Sequence, residues 1–172
     1  MNQPLQRRAL LSALFVFLTG SALHFVWEWS GRNMIVAIFA ATNESTWEHL
    51  KLAFWPALAL APIQRMLYGG LPGWLPATAI RCMVPSGLIV ALFYAYTWLL
   101  GGHHLVADIA IFAIAILVGE WLGHAALMRE SGAFARMTGL GLLVVVTVLF
   151  ATLTFSPPDC FLFQVPVFSA AD

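Results

Sequence analysis

Long apolar runs alternate with short polar ones along this chain. The first runs from Ala9 to about Trp29 and the second from about Thr46 to Leu67. The third lies within residues 74–100, the fourth spans His104 to Met128, and the fifth spans Met137 to Phe155. A helix needs about 20 predominantly apolar residues to cross bilayer hydrocarbon, so each run is a candidate transmembrane helix. Residues 33–41 (NMIVAIFAA) are too short for that and read as an interfacial or re-entrant segment. Pro56 and Pro62 fall inside the second run, and Pro76 and Pro85 near the start of the third. Pro157-Pro158 ends the helical pattern, because proline cannot continue the backbone ladder. The pattern predicts an all-α polytopic membrane helix bundle of about five transmembrane helices, forming one integral membrane domain over residues 1–172.

Composition agrees with this picture. Only 9% of the 172 residues are charged and 61% are hydrophobic, whereas a water-facing surface normally requires about 25% charged residues. Eight basic residues balance eight acidic ones, so no basic field points to nucleic acid. The partner implied is the lipid bilayer, with a homo-oligomer needed if the chain is a carrier. Cys82 and Cys160 form no Cys-x-x-Cys pair.

Arg7 and Arg8 precede the first run as in a signal peptide. Its apolar stretch is long for that role, however, and it reads as a retained helix. With the N-terminus cytoplasmic, Arg7, Arg8, Arg65, Arg129 and Arg136 all fall inside, as the positive-inside bias requires, and Arg32 is the exception. The C-terminus then lies outside, and the expected location is the cell inner (plasma) membrane. Trp27, Trp29, Trp47 and Trp98 fall near the outer interface and Trp74 near the inner one, as an aromatic belt would.

Charged groups within a membrane segment each require a reason, because insertion costs about 2.5–3.5 kcal/mol at the bilayer centre. The alternating topology gathers most of them at the outer face. His24 and Glu28 end the first helix. Asn43, Glu44, Glu48, His49 and Lys51 open the second, and His103, His104 and Asp108 open the fourth. His24/Glu28 and His104/Asp108 are each four apart and share a helix face. Imidazole and carboxylate ligands projecting from neighbouring helices form many zinc and iron sites. The metal candidates are therefore His24, Glu28, His49, His104 and Asp108, for zinc or iron. Glu48 is the candidate general base, and Glu44 could serve as base or ligand. The plainer readings are a capping box at Ser45–Glu48 and histidine–carboxylate hydrogen bonds that hold helices together.

A deeper group lies on the inner side. Glu120 is about 18 Å below Asp108 at 1.5 Å per residue and points away from it, and Arg81 reaches a similar depth. An Arg81–Glu120 pair is the simplest account, with a proton relay through His124 as the alternative.

The blocks H-F-V-W-E-W-S-G (His24 to Gly31) and N-E-S-T-W-E-H-L-K-L (Asn43 to Leu52) resemble those of a family of uncharacterised prokaryotic multi-pass membrane proteins, a domain of unknown function. That family shares an H-F-x-x-E-x-S-G and an N-E-S-x-W-E-H-x-K motif. The likeness extends to Pro157, Pro158, Leu162 and Phe163. It implies a fold and motif positions, and it carries no activity.

Three functions remain in play. The first is a metal-dependent membrane enzyme acting on a lipid or small molecule. The second is a cation or proton transporter or sensor subunit, using Asp108, Glu120, His124 and Arg81. The third is a structural or accessory membrane subunit. H-E-x-x-H, G-x-S-x-G and phosphate-binding glycine loops are missing.

Overall fold

The computed structural model describes residues 3–68 and 71–166. Residues 1–2, 69–70 and 167–172 of the expected single domain lie outside them. The described chain is helical: α1 (Gln3–Trp29), α2 (Met34–Ala37), α3 (Thr46–Tyr68), α4 (Trp74–Leu100), α5 (Leu105–Leu127) and α6 (Ala133–Leu153). Helices are the natural outcome for apolar runs of this length, since each satisfies its backbone polar groups internally.

Four helices are long and apolar enough to cross a membrane: α1 over Gln6–Trp29, α4, α5 and α6. They are compatible with a multi-pass membrane protein. The fifth expected crossing, α3, is 23 residues long but does not meet the same measure of apolarity. It carries Glu48 and Lys51, which are buried, and Arg65, which is exposed near its end. α1 and α4 flank it, α5 closes the ring between α1 and α4, and α6 packs on α4. Phe150 of α6 reaches across to the rings of Trp47 and Phe54 on α3. Ala53, Phe54, Ala57 and Ala61 are all buried, and Lys51 and Glu48 are enclosed as an ion pair at 2.6 Å.

Helices come close where a side chain is missing. A Cβ at Gly20 of α1 would collide with the Leu52 carbonyl oxygen of α3 and press on the Phe112 ring of α5, so α1, α3 and α5 meet at that level. Gly119 of α5 makes room for the Pro85 ring of α4 in the same way. Pro56, Pro62 and Pro85 all sit inside continuous helices, so none of the three breaks its helix.

The short segment read as interfacial or re-entrant forms the single turn α2 and folds against α3. Lys51 Nζ donates to the Ala37 carbonyl at 2.7 Å, and Trp55 Nε1 donates to that of Ile38 at 2.9 Å. The chain after α6 turns back over the same end of the bundle. The Leu162 carbonyl accepts from Trp47 N–H at 2.9 Å, and Phe163 stacks on the Trp47 ring with centroids 4.7 Å apart. Trp47 is therefore a buried residue rather than a belt residue. The helices run alternately up and down, so one end carries His24, Glu44, His49 and Asp108 and the other carries Arg7, Arg8, Arg65 and Arg129. They are called below the histidine end and the arginine end.

Candidate metal centre at the histidine end

One turn above the Gly20 crossing, α1 presents His24 and α3 presents His49. Between the end of α1 and the start of α3 the chain makes two turns. The first is at Gly31 and Arg32, both left-handed at φ 67° and 62°. It returns Arg32 over the last turn of α1, where its guanidinium holds Glu28 at 3.1–3.2 Å. The second is an Asx turn in which Asn43 Oδ1 accepts from Ser45 N–H at 2.8 Å. It sets Glu44 over the two histidines.

The result is a three-atom cluster. His24 Nε2 lies 3.2 Å from His49 Nε2. Glu44 Oε2 lies 3.5 Å from the first and 3.4 Å from the second. These three are the one group of metal-type ligands among the described residues that converge on a common point. The side chains are 31%, 31% and 65% exposed for His24, His49 and Glu44, so the cluster opens to the outside of the bundle.

The donor chemistry is specified further by the backbone. His49 Nδ1 lies 2.9 Å from the Ser45 carbonyl oxygen. A carbonyl can only accept, so Nδ1 carries a proton and Nε2 is the ring atom that faces the cluster. The hydrogen bond from His49, opposed by burial and supported by the charges of His49 and His24, holds the Glu44 carboxyl below its ordinary value. Glu44 is therefore ionised at neutral pH. Three Lewis-basic atoms thus face one small volume. A proton can bridge only two of them at a time, whereas a metal ion would satisfy all three. Four ligands at 2.0–2.1 Å around tetrahedral zinc stand about 3.3–3.4 Å apart, close to the spacing seen.

The other sequence candidates are placed differently. Glu28 is engaged by Arg32. His104 precedes α5, and its backbone N–H donates to Tyr96 Oη at 3.1 Å. Asp108 accepts from Tyr96 Oη and pairs with His103 Nδ1 at 2.9 Å. It stands one turn above Phe112 and close enough for its charge to act on His49. Glu48 is enclosed: besides Lys51 it accepts from Thr42 N–H at 2.8 Å, Thr42 Oγ1 at 2.9 Å and Thr154 Oγ1 at 3.1 Å. Of the predicted capping box only half forms, with Ser45 Oγ accepting from Glu48 N–H at 3.4 Å. Tyr96, Thr42 and Thr154 carry much of this end, yet nothing about a lone hydroxyl in an apolar helix distinguishes them in the sequence.

All three converging ligands come from the two polar blocks of the sequence. A family model matches residues 1–169, nearly the whole chain. The chain belongs to the family of unknown function DUF6512. No curated protein and no solved structure matches it. The functional reading of this DUF6512 protein therefore rests on its own residues.

Proposed function

We propose that this is a multi-pass membrane protein whose histidine end binds one transition-metal ion through His24, His49 and Glu44 and uses it catalytically on a lipid or small molecule. The observation that carries the reading is the convergence of three Lewis-basic atoms, 3.2–3.5 Å apart, from two helices and the segment between them. Two histidines and one carboxylate leave at least one coordination position open. That is the arrangement of catalytic rather than structural zinc sites, and also of mononuclear iron sites. An ion held there supplies Lewis acidity at its open positions.

The surroundings favour an amphiphilic substrate. Phe25, stacked on Trp29, lies beside His24 with ring centroids 5.1 Å apart. Phe25 and Trp29 are 54% and 73% exposed, which suits a site at a membrane surface. Glu44 and His49 would ligate, and Asp108 with His103 would provide proton transfer from α5. Glu48, closed in by Lys51 and two threonines, would hold the loop that carries Glu44. The unbroken helices α3 and α4 weigh against a transport site of the broken-helix kind.

Elemental analysis of the purified protein tests this reading. Near-stoichiometric zinc or iron in the wild type, lost from a folded His49→Ala variant, supports it. No metal after supplementation with either ion would remove it and leave the three residues as a hydrogen-bonded clasp.

A further inference from the structure

A second polar cluster lies towards the arginine end, remote from the metal site. Four helices each contribute to it: Ser12 from α1, Gln64 from α3, Arg81 from α4, and Glu120 with His124 from α5. Ser12 is 6% exposed and the others 2% or less. Gln64 Nε2 donates to Ser12 Oγ at 2.9 Å, and the Gln64 carbonyl accepts from Arg81 Nη1. Glu120 Oε2 lies 3.4 Å from Arg81 Nε and 3.5 Å from His124 Nδ1, and Gln64 also faces the carboxylate. The His124 ring is held through Nδ1 by the Glu120 backbone carbonyl at 2.9 Å.

The carboxylate is the anomaly. Arg81 Nε and His124 Nδ1 come no closer to Oε2 than 3.4 and 3.5 Å, and neither oxygen of Glu120 receives a well-aligned short hydrogen bond among the described residues. Ionised carboxylates in protein interiors are normally held by two or three donors, and burying one without them is expensive. The nearby Arg81 charge opposes proton uptake, and the missing donors favour it. Two opposed effects of similar kind leave the carboxylate poised to exchange a proton instead of being locked as an anion.

A route exists. Arg8 is exposed at the start of α1, and Ser12 stands one turn further along the same face. From Ser12 the hydrogen bond to Gln64 leads on to the Arg81–Glu120 contact. The groups around Glu120 are Gln64 from α3, Arg81 and the buried Cys82 from α4, and His124 from its own helix, with Arg8 of α1 near enough for its charge to act on His124.

We infer that Glu120 is a proton-binding site inside the bundle, reached from the arginine end along Ser12 and Gln64. The site takes up one proton on the carboxylate as its only chemical change. It is independent of the metal centre and does not rest on that reading.

Infrared difference spectroscopy on the full-length protein in lipid nanodiscs, scanned between about pH 5 and 9 where buried glutamates titrate, tests the inference. The expected result is a protonated-carboxyl C=O band that grows as pH falls. It should disappear in Glu120→Gln and persist in Glu48→Gln, which removes the other buried carboxylate. A wild-type spectrum without such a band, or a band that survives Glu120→Gln, overturns the proposal. If Glu120→Gln does not fold, Glu120→Asp should shift the band, and an unshifted band is equally fatal.

Discussion

His24 and His49 bring their Nε2 atoms to 3.2 Å of each other although 25 residues separate them in the chain. The approach is set by the missing side chain at Gly20, one turn below, where α1 lies against the α3 backbone at Leu52. Two imidazoles held this close, with a carboxylate over them, gain most from a shared cation. The predictions below follow from that arrangement and from the buried pairs that support it.

Substitution should separate the histidines. His49→Ala or His24→Ala removes a ligand and should reduce bound metal from near-stoichiometric to background. His104→Ala and Glu28→Gln should leave it unchanged, because His104 engages Tyr96 through its backbone and Glu28 engages Arg32. Metal content of the four purified variants decides it. Retention by His49→Ala would show that the ion is held elsewhere.

Metal affinity should fall in acid because histidine ligands must be deprotonated. Affinity should be greatest where both imidazoles are neutral and should decline as falling pH protonates them. Glu44 loses its charge only at lower pH. Its carboxyl is held below its ordinary 4.5, so its favourable contact is complete above that value and is lost only as pH falls through the lowered one. Binding isotherms at a series of pH values should therefore show the histidine step first. A single step near the carboxylate range would assign the binding to Glu44 without the histidines.

The Lys51–Glu48 pair should behave as a unit. Breaking a buried ion pair by removing one partner costs about 3–5 kcal/mol. Lys51→Met alone leaves Glu48 with the two threonines, and Glu48→Gln alone leaves an enclosed ammonium. The double substitution should cost clearly less than the sum of the singles. Equilibrium unfolding in mixed micelles measures the coupling, and strict additivity would argue against a mutually dependent pair.

Gly20→Ala should cost about 1–3 kcal/mol, the usual range for overpacking a tight contact. It should also separate α1 from α3 and so loosen the cluster one turn above. Metal affinity is expected to drop by roughly 10- to 100-fold, the range typical of residues that orient ligands. A variant with unchanged affinity would show that the helix crossing does not set the histidine spacing.

The helical class of the fold was readable from hydropathy alone, because long apolar runs leave the backbone few alternatives. The depth of α3 was not. In sequence it reads as a second transmembrane span, whereas Glu48 and Lys51 are enclosed, with Thr154 and the Ala37 carbonyl around Lys51. The gathering of His24, Glu44 and His49 at one end followed from topology. The selection among the carboxylates did not, because it depends on backbone turns. Helical spacing favours Glu28 as the companion of His24. The left-handed Arg32 returns a guanidinium to Glu28, and the Asx turn at Asn43 brings Glu44 instead. Gln64 and Ser12 carried no sequence signal, since single polar residues in apolar helices are common and their convergence exists only in three dimensions.

The carbonyl of Leu162 that receives the Trp47 amide has a consequence for biosynthesis. His49 is two residues beyond Trp47, in the first turn of α3. That turn acquires its final backbone partner, and Trp47 its stacking ring Phe163, only from residues synthesised after α6. His24, Glu44 and His49 are all made within the first third of the chain, yet their surroundings are completed by its last part. A nascent chain would therefore hold its histidines in a loosened frame until translation is nearly finished, and the proposed metal site would take its final form only with chain completion.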